Sequence, residues 1–348
     1  MSLRLSLTGT SRTFDRPTRN AHHSWSERAA CFITLESDEG GRGFGEASPL
    51  PGFSPDRLED GQAALAALNL TNIPGRLEPG QSARLELSRA SARLSADLPA
   101  ARAGFEAALL DLWSRSAGQP AWALLSGARA PAPRRVSALL SGEPEQAMSQ
   151  ARAAQARGVG CFKLKIGRHL ERELGAVREL RRELGEAVSL RIDANQSLSV
   201  GAARTYLPRF AAEQLEYIEE PCAPADLTAL ADLELPLAWD ESLLSGELPA
   251  LRGRALILKP SLLGGISACA DWAERAARAA MGVVISHAFE GPLGLALSAT
   301  AALCWGSAHL AHGLDLSAAR LAPEAVPFIA GASVVPWTQP GFGPLGFD

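Results

Sequence analysis

Between about residues 135 and 314 the chain repeats one pattern, a short apolar run followed by an amphipathic stretch rich in Ala, Leu and Arg. The runs are RVSALLSG (135–142), CFKLKIG (161–167), VSLRIDAN (188–195), LEYIEEP (215–221), LAWDES (237–242), ALILKP (255–260), GVVISH (282–287) and AHLAHGL (308–314). Intervening stretches such as PEQAMSQARAAQARG and HLERELGAVRELRRELG have helical periodicity and charged outer faces. Alternation of strand and helix at this spacing predicts parallel β/α units, and eight of them close into a barrel.

Before residue 100 the pattern changes. ACFITLESDEG and GRGFGEAS read as two strands of a hairpin, with the acidic, glycine-rich DEGGRG as the turn. This predicts a separate α+β capping domain over residues 1–100. The helix-like PAARAGFEAALLDLWSRSAG and the Pro-rich PAPRR lead into a barrel domain spanning 101–317. The tail from about 318 to 348 is expected to return and complete the cap.

Composition narrows the class of function. The chain has 348 residues, 47% of them hydrophobic and 21% charged, enough for a large buried core and an enzyme-sized fold. A net charge of −4 and few aromatics argue against a nucleic-acid partner. No apolar run approaches the roughly 18 residues of a membrane span, and the start MSLRLSLTGTSRTF lacks a leader's apolar core, so the expected location is the cytoplasm. The five cysteines are scattered without C-x-x-C spacing, which favours neither a disulfide framework nor a zinc site; buried free thiols are expected. The expected partner is a small-molecule carboxylate, bound by a monomer or a homo-oligomer.

Only three of the 34 basic Lys and Arg residues are lysine: Lys163, Lys165 and Lys259. Arginine cannot give up its proton at ordinary pH, whereas a partly desolvated lysine can, so lysines surviving such a bias point to chemistry that needs them. All three fall at the ends of apolar runs. In a parallel barrel the active site forms at the C-terminal ends of the strands. Side chains two apart share a face, so Lys163 with Lys165, and Arg191 with Asp193 and Asn195, point into the barrel mouth. Glu219 and Glu220 close the fourth run, Asp240 and Glu241 the fifth, Lys259 the sixth.

Any one of these carboxylates could simply cap the next helix. Three acids from adjacent strand ends, Asp193, Glu219 and Asp240, can surround one hard cation with oxygen ligands. Magnesium suits that set, with manganese as a substitute, while zinc is disfavoured because no histidine or cysteine joins it. Lys165 and Lys259 flank the triad and would face each other across a bound substrate. Crowding by a second ammonium and a dication is expected to lower a lysine's pKa and let it act as a base beside a carboxylate. The metal would stabilise the resulting enediolate.

FKLKIG, RIDANQS, YIEEPC, WDES and LKPSLLGG, in that order and spacing, resemble the enolase superfamily, in particular its muconate lactonizing enzyme subgroup. A lysine or histidine base working with magnesium is the known pattern of that superfamily. The resemblance spans nearly the whole chain. It implies a modified TIM-type (β/α)7β barrel with an α+β cap, magnesium on Asp193, Glu219 and Asp240, Lys165 as general acid/base, Lys163 as its electrostatic neighbour and Lys259 as the opposing cation.

Two further segments, GFGEASPLPGFSPD (43–56) and FEGPLGLAL (289–297), are similar to motifs of the o-succinylbenzoate synthases. That likeness implies syn dehydration of 2-succinyl-6-hydroxy-2,4-cyclohexadiene-1-carboxylate to o-succinylbenzoate in menaquinone biosynthesis. Arg191, Asn195, Ser286, His287 and the loop residues Pro51, Phe53 and Ser54 are then the expected substrate contacts. His287 stands where the mandelate racemase subgroup has a catalytic histidine, but Lys259 occupies the position of the aspartate that would orient it; a substrate contact or wall residue is expected instead. His22 and His23 fall in a polar loop that could cover the pocket.

The same lysines and metal would serve an N-succinylamino acid racemase or a dipeptide epimerase. Dipeptide epimerases usually carry a D-x-D near the seventh and eighth strands, and ISHAFEG has none. A catalytically dead barrel acting as a binding protein is the remaining alternative, since fold alone does not establish activity.

Overall fold

The computed structural model describes residues 2–19, 23–78, 80–127, 130–142, 144–319, 321, 325–343 and 345. His22 and parts of the C-terminal tail lie outside the described residues.

Three antiparallel strands open the chain: β1 (Leu3–Arg19), β2 (Ser24–Ser37) and β3 (Arg42–Ala47), in the order β1-β2-β3. The expected hairpin is β2 with β3, paired from Cys31↔Ala47 to Glu36↔Arg42. β1 extends the sheet and was not anticipated, although its first half alternates Leu3, Leu5 and Leu7 with Arg4, Ser6 and Thr8, which is a strand signal.

Helices α1 (Leu58–Ala66), α2 (Ala83–Ser91), α3 (Pro99–Ser116) and α4 (Ala121–Ser126) follow. α3 is buried along almost its whole length and lies flat on β3. The sequence permits this through glycine. A Cβ on Gly43 would stand 2.2 Å from the carbonyl oxygen of Ala108, and one on Gly45 2.0 Å from that of Gly104. The G-F-G of the cap motif therefore serves helix-to-strand contact, not merely loop formation.

After β4 (Arg134–Arg135) the barrel begins with β5 (Ala138–Leu140), α5 (Pro144–Ala156), β6 (Cys161–Lys165), α6 (Leu170–Leu184), β7 (Ser189–Asp193), α7 (Val200–Ala211) and β8 (Tyr217–Glu219). It continues with β9 (Leu237–Trp239), β10 (Ala255–Leu258), α8 (Pro260–Leu263), α9 (Ile266–Arg278), β11 (Gly282–Ile285), α10 (Pro292–Trp305) and α11 (Leu316–Ala319). Strands β5 to β11 form one parallel sheet in sequential order. The flanks of β9 carry short 3-10 segments, Pro224–Leu230 and Glu241–Ser245, in place of regular α-helices.

The eighth run, AHLAHGL, is not a regular strand. It closes the ring through two isolated parallel bridges, Val136↔His312 and Ser286↔Gly313. Helix α10 is apolar on all sides and buried, while α6 and α9 bury one face and expose the other.

In the tail, β12 (Ile329–Ala330) and β13 (Ser333–Val334) form a small sheet with β4. Beyond it, Phe342 N–H donates to Asp111 of α3 (2.9 Å) and Trp122 Nε1 donates to the carbonyl of Trp337 (2.9 Å). The five cysteines are free. No helix of the described residues is long and apolar enough to cross a membrane.

Candidate active site

Parallel register brings the polar strand ends to one level. Lys165 pairs with Asp193, and Asp193 with Glu219, directly across β6, β7 and β8. Lys163 sits two residues deeper, opposite Arg191. Asp240 follows β9 and Lys259 follows β10. Three residues near these ends, Asn195, Gln196 and Glu220, adopt left-handed backbone conformations (φ of 42°, 61° and 41°). Such strain collects where backbone must turn sharply to aim side chains.

The lysines and carboxylates interlock. Lys163 Nζ lies 2.9 Å from Asp193 Oδ2 and 2.6 Å from Glu219 Oε1; Lys165 Nζ lies 3.1 Å from Asp193 Oδ2 and 2.5 Å from Asn195 Oδ1. Lys259 Nζ pairs with Asp240 Oδ2. Asn195 donates onward to Glu241 (2.6 Å). The two glutamates of the E-E-P motif have separate work. Glu219 faces the lysines, whereas Glu220 turns away to accept from Asp240 N–H (2.7 Å), Ser242 N–H (2.8 Å), Ser242 hydroxyl (2.7 Å) and Gln196 (2.8 Å), fixing the turn that carries Asp240.

Burial sets the electrostatics. Burial alone would push Asp193 up, but Lys163 and Lys165 outweigh it and hold its carboxyl well below the usual range. Glu219 is pushed up to about 7 by burial, reinforced by Asp193 and Asp240. Burial, with Glu241 nearby, also raises Asp240. Desolvation works against the charge of Lys259 and of Lys163, yet the facing carboxylates win and raise both. For Lys259, Asp240 and Glu241 supply more negative charge than Lys163 supplies positive.

Among the described residues no three Asp, Glu, His or Cys side chains stand as a ready metal centre; each carboxylate of the triad is engaged by a lysine. Their chemistry nevertheless suits a hard dication. Every donor is a carboxylate oxygen, and Glu219 Oε2 is buried without a hydrogen-bond partner.

A cavity opens above this cluster, lined by Lys163, Lys165, Asp193, Asn195, Lys259, Ser286 and His287 below and by Trp25, Leu50, Phe53 and Phe289 above. Phe14, Trp25 and Leu50 form a small buried cluster with Phe53 and Phe289 packed on it. Lys259 Nζ stands 4.8 Å from the Phe53 ring centroid, a cation–π distance. The site is a charged floor under an aromatic roof.

Not every expected contact reaches the cavity. Arg191 is buried one layer below the cavity floor, where it donates to Glu216 (2.5 Å) and to the carbonyl of Ala311 (2.8 Å) and stacks over Tyr217. Pro51 and Ser54 do not line the cavity. Ser54 hydroxyl accepts from Leu50 N–H (2.7 Å) and Pro51 carbonyl accepts from Trp25 Nε1 (2.8 Å), so they shape the loop that presents Leu50 and Phe53. Ser286 reaches the cavity, but its hydroxyl donates to Gly313 carbonyl (3.2 Å). Sequence reasoning missed Trp25, Leu50, Phe289 and Asp315. Asp315, just past the eighth run, lines the cavity with its carboxylate bonded to Ser317.

Residues 146–344 match the family described as Enolase C-terminal domain-like, and residues 5–126 the Mandelate racemase / muconate lactonizing enzyme N-terminal domain. The chain belongs to the enolase superfamily. An o-succinylbenzoate synthase of Desulfotalea psychrophila is 31% identical over 323 residues, covering 81% of this chain and 85% of that relative. Among enolase-superfamily structures, the muconate lactonizing enzyme of Pseudomonas fluorescens superposes with a TM-score of 0.82 at 23% identity, over 98% of this chain and 95% of that one. The dipeptide epimerase of Enterococcus faecalis, complexed with Mg and a dipeptide, has the same TM-score at 20% identity over 99% of each chain. This superfamily member is an enzyme with an α/β barrel and an N-terminal cap, and its superfamily binds Mg2+.

Proposed function

We propose that the chain is an o-succinylbenzoate synthase, a hydro-lyase that converts 2-succinyl-6-hydroxy-2,4-cyclohexadiene-1-carboxylate to o-succinylbenzoate and water in the cytoplasm. The observation that carries this reading is the cavity itself, with Lys165 and Lys259 below an aromatic roof of Trp25, Phe53 and Phe289. The relative from Desulfotalea psychrophila supports the same choice.

Asp193, Glu219 and Asp240 would hold magnesium, or manganese in its place. When bound, the cation supplies electrostatic stabilisation of the charge that develops on the substrate's carboxylate. The protein's own residues do the rest. Lys165 Nζ takes the proton from the ring carbon beside the carboxylate, and its ammonium returns that proton to the hydroxyl leaving from the same face, which departs as water. Asn195 and Asp193 orient Lys165 for both transfers. Lys163, between Asp193 and Glu219, attracts both carboxylates and offsets their mutual repulsion, and it does not need to touch substrate. Lys259 keeps a fixed positive charge on the other side of the ring, and the roof excludes water from the developing anion.

A racemase or epimerase of the same superfamily is the second reading. It is favoured by one observation, that Lys165 and Lys259 line a single cavity, as a two-base reaction needs. An absorbance assay of the purified protein with Mg2+ and the cyclohexadiene substrate separates the two. Diene loss that disappears in Lys165→Ala and on chelation supports the synthase. Absence of turnover, with N-succinylamino acids racemised instead, replaces it with the second reading.

A further inference from the structure

His287 lines the cavity at the end of β11, and its hydrogen bonds fix the form of its imidazole. Nδ1 accepts the backbone N–H of Phe289 at 2.9 Å. A backbone N–H can only donate, so Nδ1 carries a lone pair and no proton. The contact spans two residues and pins Phe289 in a left-handed conformation, φ 62°, which a bulky residue adopts only when its surroundings hold it there. Arg12 completes the hold by donating to the carbonyls of Phe289 (3.0 Å) and Glu290 (3.2 Å), and the Glu290 carboxylate accepts from Ala288 N–H (2.6 Å) and Ser261. The rings of His287 and Phe289 then meet edge to face, 5.4 Å apart.

With Nδ1 turned back into its own loop, Nε2 is the edge left for the cavity, and no described protein group bonds it. The charge of the ring is set by what faces it. Burial lowers the pKa, Glu290 and Asp315 oppose that, and Lys259 and Arg12 add to it, with a net lowering. The imidazole is therefore neutral near pH 7, and its one proton sits on Nε2.

We propose that His287 is a neutral hydrogen-bond donor whose Nε2–H is aimed at an uncharged substrate oxygen, the carbonyl of the acyl arm, and that it does not act as the general base. A base would have to offer Nε2 as a lone pair, which requires a proton on Nδ1 and breaks the bond that holds Phe289. The donor role gives the acyl arm a fixed anchor on the β11 side while the carboxylate lies at the lysines. Choice of that carbonyl rests on the substrate proposed above, whereas the tautomer rests on the protein alone.

Three measurements test it. In 15N NMR of histidine-labelled protein, with His287→Asn for assignment, Nε2 of His287 should carry the proton and Nδ1 should not, down to a pH below that of an ordinary histidine. A proton on Nδ1, or an imidazolium at neutral pH, overturns the proposal. Binding of o-succinylbenzoate and of the analogue with methylene in place of the ketone is then measured on the Mg-loaded protein. Wild type should prefer the ketone by about tenfold, the scale of one neutral hydrogen bond. Asparagine can replace Nδ1 as acceptor but not reach as Nε2, so His287→Asn should lose that preference. His287→Gln, which keeps a distal N–H and loses the pin, should recover part of it.

Equal affinity of wild type for ketone and methylene compounds overturns the donor alone. Failure of wild type to bind o-succinylbenzoate overturns both the substrate and the carbonyl as acceptor. The kcat pH profile of His287→Asn should keep the wild-type shape, and loss of a limb would mark His287 as the base after all.

Discussion

Glu46, at the end of the cap strand β3, accepts a 2.6 Å hydrogen bond from the backbone N–H of Gly291, 245 residues away at the entrance to helix α10. Its second oxygen accepts from Gly294 N–H at 3.3 Å. A carboxylate from one domain thus satisfies free donors at the start of a helix of the other, where a negative charge is also favoured by the helix dipole. Gly291 must be glycine for this, since a Cβ there would stand 2.6 Å from Glu46 Oε2. The two motif segments that resemble o-succinylbenzoate synthases, one in each domain, meet at this contact.

Glu46→Ala leaves buried N–H groups unpaired and should cost about 2–3 kcal/mol of unfolding free energy. It should also raise KM, because the loops carrying Phe53 and Phe289 flank the lost contact. Urea unfolding and steady-state kinetics check both. A variant as stable as wild type, with unchanged KM, would mean that the cap is held by other contacts.

His312 predicts an acid sensitivity. It lies at the barrel closure, where Nδ1 accepts from Ile285 N–H (3.0 Å), Nε2 is buried without a partner, and burial together with Arg191 and Arg134 lowers its pKa to about 3. The unfolded chain takes up this proton near the ordinary histidine value of about 6.5, the folded protein only far below it. The neutral histidine therefore adds no pH dependence above about pH 6.5. Below that pH, it removes roughly 1.4 kcal/mol of stability per pH unit as the pH falls. His312→Asn should flatten the pH dependence of unfolding between about pH 6.5 and pH 4.5 relative to wild type, and parallel curves for the two proteins would refute the assignment.

The parts of this architecture that are periodic are legible in the sequence. Lys165, Asp193 and Glu219 could be grouped because strand alternation decides which face a side chain takes and parallel register decides its level. Depth is not written in a period of two. Arg191 shares a face with Asp193 but sits a layer lower, and its charge is consumed by Glu216. Loops have no period at all: of the expected Pro51, Phe53 and Ser54 only Phe53 lines the cavity, and Leu50 joins it there. The Glu46–Gly291 contact joins distant segments, and only the folded chain reveals it. The eighth run was read as a strand from its composition, although barrel closure needs only two bridging residues there.

Metal binding tests the carboxylate triad without catalysis. Asp193 and Glu219 are fully buried and carry the charges that lysines now balance. Asp193→Asn removes one charged oxygen donor and should weaken Mg2+ binding at least tenfold by calorimetry, the scale expected when a hard cation loses a carboxylate ligand. Chelation should abolish turnover, and added Mg2+ should restore it. Mg2+ affinity unchanged in Asp193→Asn would remove that residue from the ligand set.

Phe53 separates roof from floor. The loop that carries it is held by its own backbone, with Phe53 N–H and Ser54 N–H both donating to Leu50 carbonyl (2.9 and 2.8 Å), so its geometry does not depend on the ring. Phe53→Ala should leave Tm nearly unchanged. It removes apolar surface over the substrate and the cation–π contact to Lys259, together on the order of 2 kcal/mol, which predicts a KM increase of roughly tenfold or more. Phe53→Leu keeps most of the apolar surface and loses only the ring's attraction for the ammonium. If the ring acts mainly as a hydrophobic roof, Leu should recover most of the KM defect; if it acts mainly by steadying Lys259, Leu should resemble Ala and lower kcat as well. KM and kcat unchanged in both variants would exclude Phe53 from the substrate wall.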